Sequence, residues 1–166
     1  MLINAALFQI TWFACALGAA AGMVWPSIAS CAILALYQLQ ASRRHPSDIN
    51  LMVAAAMLGI IIDSAWIQFG LISYATPSPF SGFAPTWIIA LWIAFALSIN
   101  HSLAWLKAHP LLPAAAGLVC APLSYIAGEK LNALSFVDDT MLVCCLLGIV
   151  WALALILLVR LSEAFK

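Results

Sequence analysis

Asp63 is the acidic residue set deepest in an apolar run, Leu58-Gly-Ile-Ile-Ile-Asp63-Ser-Ala-Trp66-Ile-Gln68-Phe-Gly70. An ionised side chain at the centre of a membrane helix costs at least about 2.5–3.5 kcal/mol, and such residues turn towards the protein interior. Gly59, Asp63, Trp66 and Gly70 fall at i, i+4, i+7 and i+11, one stripe of a helix. The two glycines let a neighbouring helix approach the carboxyl group. Asp63 therefore faces inward on this reading, either as a proton carrier or general acid, or as a neutral hydrogen-bonded group that locks helices together.

Asn100-His101 is the second polar feature, with Gln9 at a comparable depth. At 1.5 Å per helical residue, His101 lies roughly 9 Å and Gln9 roughly 12 Å from the same end, so the three could form a polar layer. His101 suits an acid/base role or a helix–helix hydrogen bond. Tyr125 is roughly 21 Å from that end and Asp63 roughly 20 Å, which predicts a hydrogen bond between them. Gly117, Ala121, Ser124 and Gly128 form a small-residue stripe that permits close helix packing, and Pro122 is expected to kink the same helix. The candidate catalytic residues are thus Asp63 and His101, and the candidate substrate-binding residues are Asp63, Asn100, His101, Tyr125, Trp66 and Gln9. No His-x-x-x-His, His-x-x-Glu or Cys-x-x-Cys pattern occurs, so neither a metal nor a cofactor is expected. Cys15, Cys31, Cys120, Cys144 and Cys145 all lie in apolar runs and read as packing residues.

The elements that must position these groups are membrane helices. The 166 residues are 66% hydrophobic and 7% charged, against about 45–50% and about 25% in soluble domains. A chain this short could not hide so much apolar surface in a water-soluble core. The net charge is zero, with no basic cluster beyond Arg43-Arg44, which excludes nucleic acid as a partner. A span needs about 17–25 apolar residues. Six segments qualify, at about 3–20, 24–40, 49–74, 86–106, 111–128 and 139–161, making residues 1–166 one integral membrane domain, an all-α polytopic bundle. The first lacks a basic leader and reads as a retained span. Pro26 suits a first turn, Ser47 or Asp48 can cap the third span, and Asp138 or Asp139 the sixth. The stretch from Ala75 to Pro85 holds three prolines and a glycine and cannot be a regular helix.

Six spans place Arg43, Arg44, Lys107, Arg160 and Lys166 on one side and only Lys130 on the other. Cytoplasmic loops are enriched in Lys and Arg, so both termini are expected inside. Trp87 and Trp105, with Trp25, fit interfacial aromatic belts, and Phe80 and Phe83 fit a loop dipping into the headgroups.

Several strings together resemble a bacterial inner-membrane family, catalogued as domain of unknown function 2878. They are Gly59-x3-Asp63, the run from Thr86 through Trp87 and Trp92 to Phe95, Asn100-His-Ser-Leu-x-Trp-Leu106, and Pro122-Leu-Ser-Tyr125-x-Ala-Gly128. The likeness spans nearly the whole chain. It implies a bacterial inner membrane and, by genomic association, a link to lipid modification. Three functional classes follow. The leading one is a lipid-handling protein with an intramembrane polar cleft, whose partners are membrane lipids. The others are an accessory subunit docking a membrane protein or a second copy of itself, and a small proton-coupled transporter.

Overall fold

A computed structural model describes residues 1–76 and 78–165. The described chain is all-helical in class, with six α-helices: α1 (Leu2–Ala20), α2 (Trp25–Gln38), α3 (Asp48–Gln68), α4 (Thr86–Ile99), α5 (Leu112–Lys130) and α6 (Thr140–Ala164). A 3₁₀ turn (Ala104–Ala108) precedes α5, and two short strands, β1 (Ile72–Tyr74) and β2 (Leu134–Phe136), pair antiparallel. Four helices, α1, α3, α5 and α6, are long and apolar enough to cross a membrane. At 14 residues each, α2 and α4 are roughly 21 Å long, short of a hydrocarbon core about 30 Å thick. The outer faces carry exposed Leu17, Ile61, Leu118, Ile149 and Leu153, an apolar exterior suited to lipid.

Three helices end in the same way. In α3, Gly70 takes φ +67°, Gly70 N–H donates to the Ile67 carbonyl and Leu71 N–H to that of Trp66. This left-handed cap satisfies the last carbonyls and stops the helix. It is why α3 ends at Gln68 rather than near Tyr74, and why Gly70 lies beyond the helix stripe. Gly22 does the same for α1 and Asn132 (φ 59°) for α5. The caps after α3 and α5 release β1 and β2, which pair Ile72 with Phe136, Ser73 with Ser135 and Tyr74 with Leu134. Pairing satisfies backbone groups that lipid could not.

The fourth segment also departs from the expected 86–106. The Ser98 carbonyl accepts from both His101 and Leu103 N–H, closing a turn after Ile99. Trp87 and Trp105 are therefore not two ends of one helix: Trp87 is buried edge-on against Tyr74, whereas Trp105 lies half-exposed in the 3₁₀ turn. Trp87 thus packs in the core rather than in an interfacial belt. Asp139 caps α6 by accepting from Leu142 N–H at 2.9 Å. At α3 neither Ser47 nor Asp48 makes a side-chain cap; the Asp48 carboxylate reaches back to His45 N–H instead. Helix α5 continues through Pro122.

The loop before α4 folds back onto the bundle. Thr76 Oγ1 donates to the Ala19 carbonyl at the end of α1, and Ala84 N–H to Ser64 Oγ. Phe80 and Phe83 remain exposed. Helices α5 and α6 meet backbone to backbone: a Cβ on Gly117 would sit 2.4 Å from the Ala152 nitrogen. The Gly117 part of the small-residue stripe is thus used within the chain. Gly117→Ala is expected to destabilise the detergent-solubilised protein by about 1–3 kcal/mol, seen as a lower thermal midpoint. An unchanged midpoint would contradict the close α5–α6 contact.

Candidate functional site

Asp63 is fully buried and is the acceptor at the centre of the bundle. Its Oδ1 accepts from the Tyr74 hydroxyl at 2.5 Å and the Tyr125 hydroxyl at 2.7 Å. Its Oδ2 accepts from Trp92 Nε1 at 2.7 Å. Four elements (α3, β1, α4 and α5) therefore converge on one carboxyl group, and all three donors are neutral. Gly59, one turn earlier on α3, makes room for this: a Cβ there would lie 2.4 Å from Trp92 Cδ1. Tyr74 lies beyond the end of α3 and is brought to Asp63 by β1. Trp92 in turn stacks on Trp151, with ring centroids 4.2 Å apart and planes 13° off parallel.

A second polar cluster gathers where α1, α2, α3 and α4 meet the 3₁₀ turn. Asn4 donates to Gln38 Oε1 at 2.8 Å, and its own oxygen accepts from the Ser102 hydroxyl at 2.7 Å. That bond orients the Gln38 amide so that its nitrogen faces His101 Nδ1 at 3.2 Å. Since an amide NH₂ only donates, Nδ1 must accept, and the imidazole proton resides on Nε2. His101 Nε2 lies 2.9 Å from Asp48 Oδ2, while Asp48 Oδ1 accepts from Asn100 Nδ2 at 2.8 Å. Lys107 Nζ donates to Asn100 Oδ1 at 2.5 Å. Both nitrogens of His101 are thus engaged in holding helices together.

Between α1, α4, α5 and α6 lies a crevice of about 600 Å³. Its walls are chiefly aromatic and aliphatic, including Phe8, Trp12, Phe95, Trp105, Trp151 and Leu155. Exposed Phe13, Cys120 and Leu123 on its lining show that it reaches the outer face of the bundle. Trp12 Nε1 donates to Ser124 Oγ at 2.9 Å, tying α1 to α5 across it.

The sequence-derived residues consequently divide among three places. Asp63 and Tyr125 are hydrogen-bonded, and Tyr125 lines the crevice while Asp63 sits behind it. Asn100 and His101 belong to the second cluster and do not line the crevice. Gln9 lines the crevice and is exposed, so it forms no layer with His101; Asn4 of the same helix does. Trp66 is buried near Tyr125, its indole N–H without an acceptor among the described residues. As site residues, sequence reasoning missed Tyr74, Trp92, Asn4, Gln38 and Asp48, of which Asp48 was named only as a helix cap and Trp92 only in the family-like run. Asn4 and Gln38 carried a usable signal, being amides within apolar segments.

An apolar helical bundle with a buried carboxyl centre and a side-opening crevice defines a membrane protein by its helices, without naming an activity. The family described as a protein of unknown function (DUF2878) matches residues 1–157, and the chain belongs to it. No curated protein and no solved structure matches the chain.

Removing a donor from a buried acceptor costs about 1–3 kcal/mol. Tyr125→Phe is expected to lower stability by that amount. Asp63→Asn should do so too, because its amide nitrogen must face either the Trp92 N–H or the tyrosine hydroxyls. The two changes combined should be less than additive, since they share one interaction. Thermal unfolding of the three variants reads this; strict additivity would dismiss the pairing.

Proposed function

We propose that this protein handles lipids in the bacterial inner membrane, taking an acyl chain sideways into the crevice between α1, α4, α5 and α6. The crevice itself carries the reading: about 600 Å³, with largely apolar walls, in a bundle with an apolar exterior. Ligand pockets run to about 300–1,000 Å³ with apolar walls and a few polar groups. A large apolar cavity does not hold ordered water, and hydrocarbon is the solvent at hand. Moving a chain from bilayer to crevice brings no hydrophobic gain, because both are apolar. Selection then rests on shape, dispersion contacts with the aromatic walls, and the polar atoms of Gln9 and Ser124.

In this reading Asp63 is a positioning residue. It touches no ligand, but its hydrogen bonds set Tyr125 and Trp92, which line the crevice. The Asn100–His101–Asp48 cluster braces the end that faces the cytoplasm, with both termini on that side. Arg43 and Lys107 attach to this cluster, through the Gln38 bond to the Arg43 carbonyl and the Lys107 bond to Asn100. Basic residues at one end are the mark of a cytoplasmic face. Against a transporter or docking subunit, the Asp63 carboxyl is enclosed and the small-residue stripe is occupied by Ala152, Trp12 and Leu134.

Native mass spectrometry of the protein released from membranes in mild detergent tests the proposal. Wild type is expected to retain a phospholipid, and Cys120→Phe, which fills the crevice from an exposed position, to lose it. Leu153→Phe on the outer face is the control and should retain lipid. Equal retention by wild type and Cys120→Phe, or none in wild type, would remove the proposal.

A further inference from the structure

A second, smaller cavity of about 120 Å³ lies between the 3₁₀ turn, the start of α5 and the end of α6. Lys107, His109, Arg160 and Glu163 line it, together with Leu106 and Pro113 among others. Two of the six Lys and Arg of the whole chain, Lys107 and Arg160, meet here beside an imidazole. Lys107 is held by its bond to Asn100. The His109 ring accepts from Leu111 N–H through Nδ1 at 3.3 Å, which leaves Nε2 as its N–H donor in the neutral form. Arg160 reaches Glu163 only at 3.8 Å, and both are solvent-exposed, so that pair holds little energy.

The position of this pocket is as informative as its charge. Trp151 and Leu155 on the crevice wall continue as Val159 and Glu163 in the pocket, at i, i+4, i+8 and i+12 on one face of α6. On α5, Pro113 in the pocket is followed by Ala116, Gly117 and Cys120 in the crevice. Leu106 lines both and forms the partition between them. From Trp151 to Arg160 the rise is roughly 14 Å, the scale of an upper acyl segment plus glycerol backbone.

We infer that Lys107, His109 and Arg160 form the headgroup subsite for a phosphate-bearing anionic lipid whose acyl chain occupies the crevice. The inference rests on the acyl-chain reading and adds the substrate class: an anionic glycerophospholipid rather than a zwitterionic or neutral lipid. Glu163 opposes an anion, limits the attraction and supplies a test of opposite sign.

Vesicles of phosphatidylcholine containing a minor fraction of dibrominated phosphatidylglycerol, or dibrominated phosphatidylcholine with the same chains, quench nearby tryptophans. The crevice holds Trp12, Trp92, Trp105 and Trp151 as reporters. Wild type is expected to be quenched at a lower fraction of phosphatidylglycerol than of phosphatidylcholine. Arg160→Gln should narrow this preference by about two- to fivefold, the range of an exposed charge interaction, and Glu163→Gln should widen it. Equal quenching by the two lipids, or a preference that neither variant moves, overturns the headgroup subsite while leaving the acyl-chain reading intact. Quenching of wild type no greater than of Cys120→Phe overturns the acyl-chain reading itself. If millimolar inorganic phosphate in pure phosphatidylcholine vesicles raises the thermal midpoint as much as phosphatidylglycerol does, the pocket serves free phosphate and the lipid assignment falls.

Discussion

A carboxyl group with no access to water must find its hydrogen bonds inside the protein, and in this bundle that demand falls on Asp63. Two tyrosine hydroxyls and one indole N–H meet it. Each donor belongs to a different element, so their positions relative to α3 are fixed together. The arrangement explains features that would otherwise look unrelated. Gly59 is small because Trp92 passes over it. Gly70 ends α3 early so that β1 can turn back and deliver Tyr74. The β1–β2 pair ties that strand to the cap that follows α5, the helix bearing Tyr125.

Packing without a hydrophobic driving force needs close contact and polar links, because lipid tails are as apolar as the helices. Close contact is supplied at Gly117 and Gly148, where α5 and α6 meet at backbone distance. Polar links come from the Asp63 centre and from the chain of bonds linking Ser102, Asn4, Gln38, His101, Asp48 and Asn100. The two clusters brace the bundle at different levels along α3, one at Asp48 in its first turn and the other at Asp63 about four turns further on. Among the described residues, a Trp12–Ser124 side-chain hydrogen bond bordering the crevice links α1 to α5. The cavity therefore lies where the firm contacts give out, and its walls take their shape from the aromatic stack of Trp92 on Trp151.

Helix geometry is regular enough that some of the site was legible before any fold was known. Counting residues from the helix ends placed Asp63 and Tyr125 at the same depth, and their oxygens lie 2.7 Å apart. The same counting paired Gln9 with His101, which fails. Gln9 and Asn4 are five residues apart on α1, about 140° around the helix, so depth alone could not tell which amide faces inward. Tyr74 was hidden for another reason. Its segment is apolar and reads as more helix, while the cap at Gly70 turns it into a strand.

What the sequence determined by itself was the solvent and the class. Apolar runs in a chain with so few charges leave lipid as the medium and helices as the main structure, since backbone groups must be satisfied locally there. It also marked Asp63 as an inward group, because its cost in hydrocarbon admits no other position. The tertiary structure decided the rest: which donors serve Asp63, which amide meets His101, and where α3 and α4 stop. It alone revealed the crevice and the small pocket in line with it. Those depend on how helices lean on one another, and such contacts join residues as far apart as Asn4 and Ser102, whose relation no local pattern encodes.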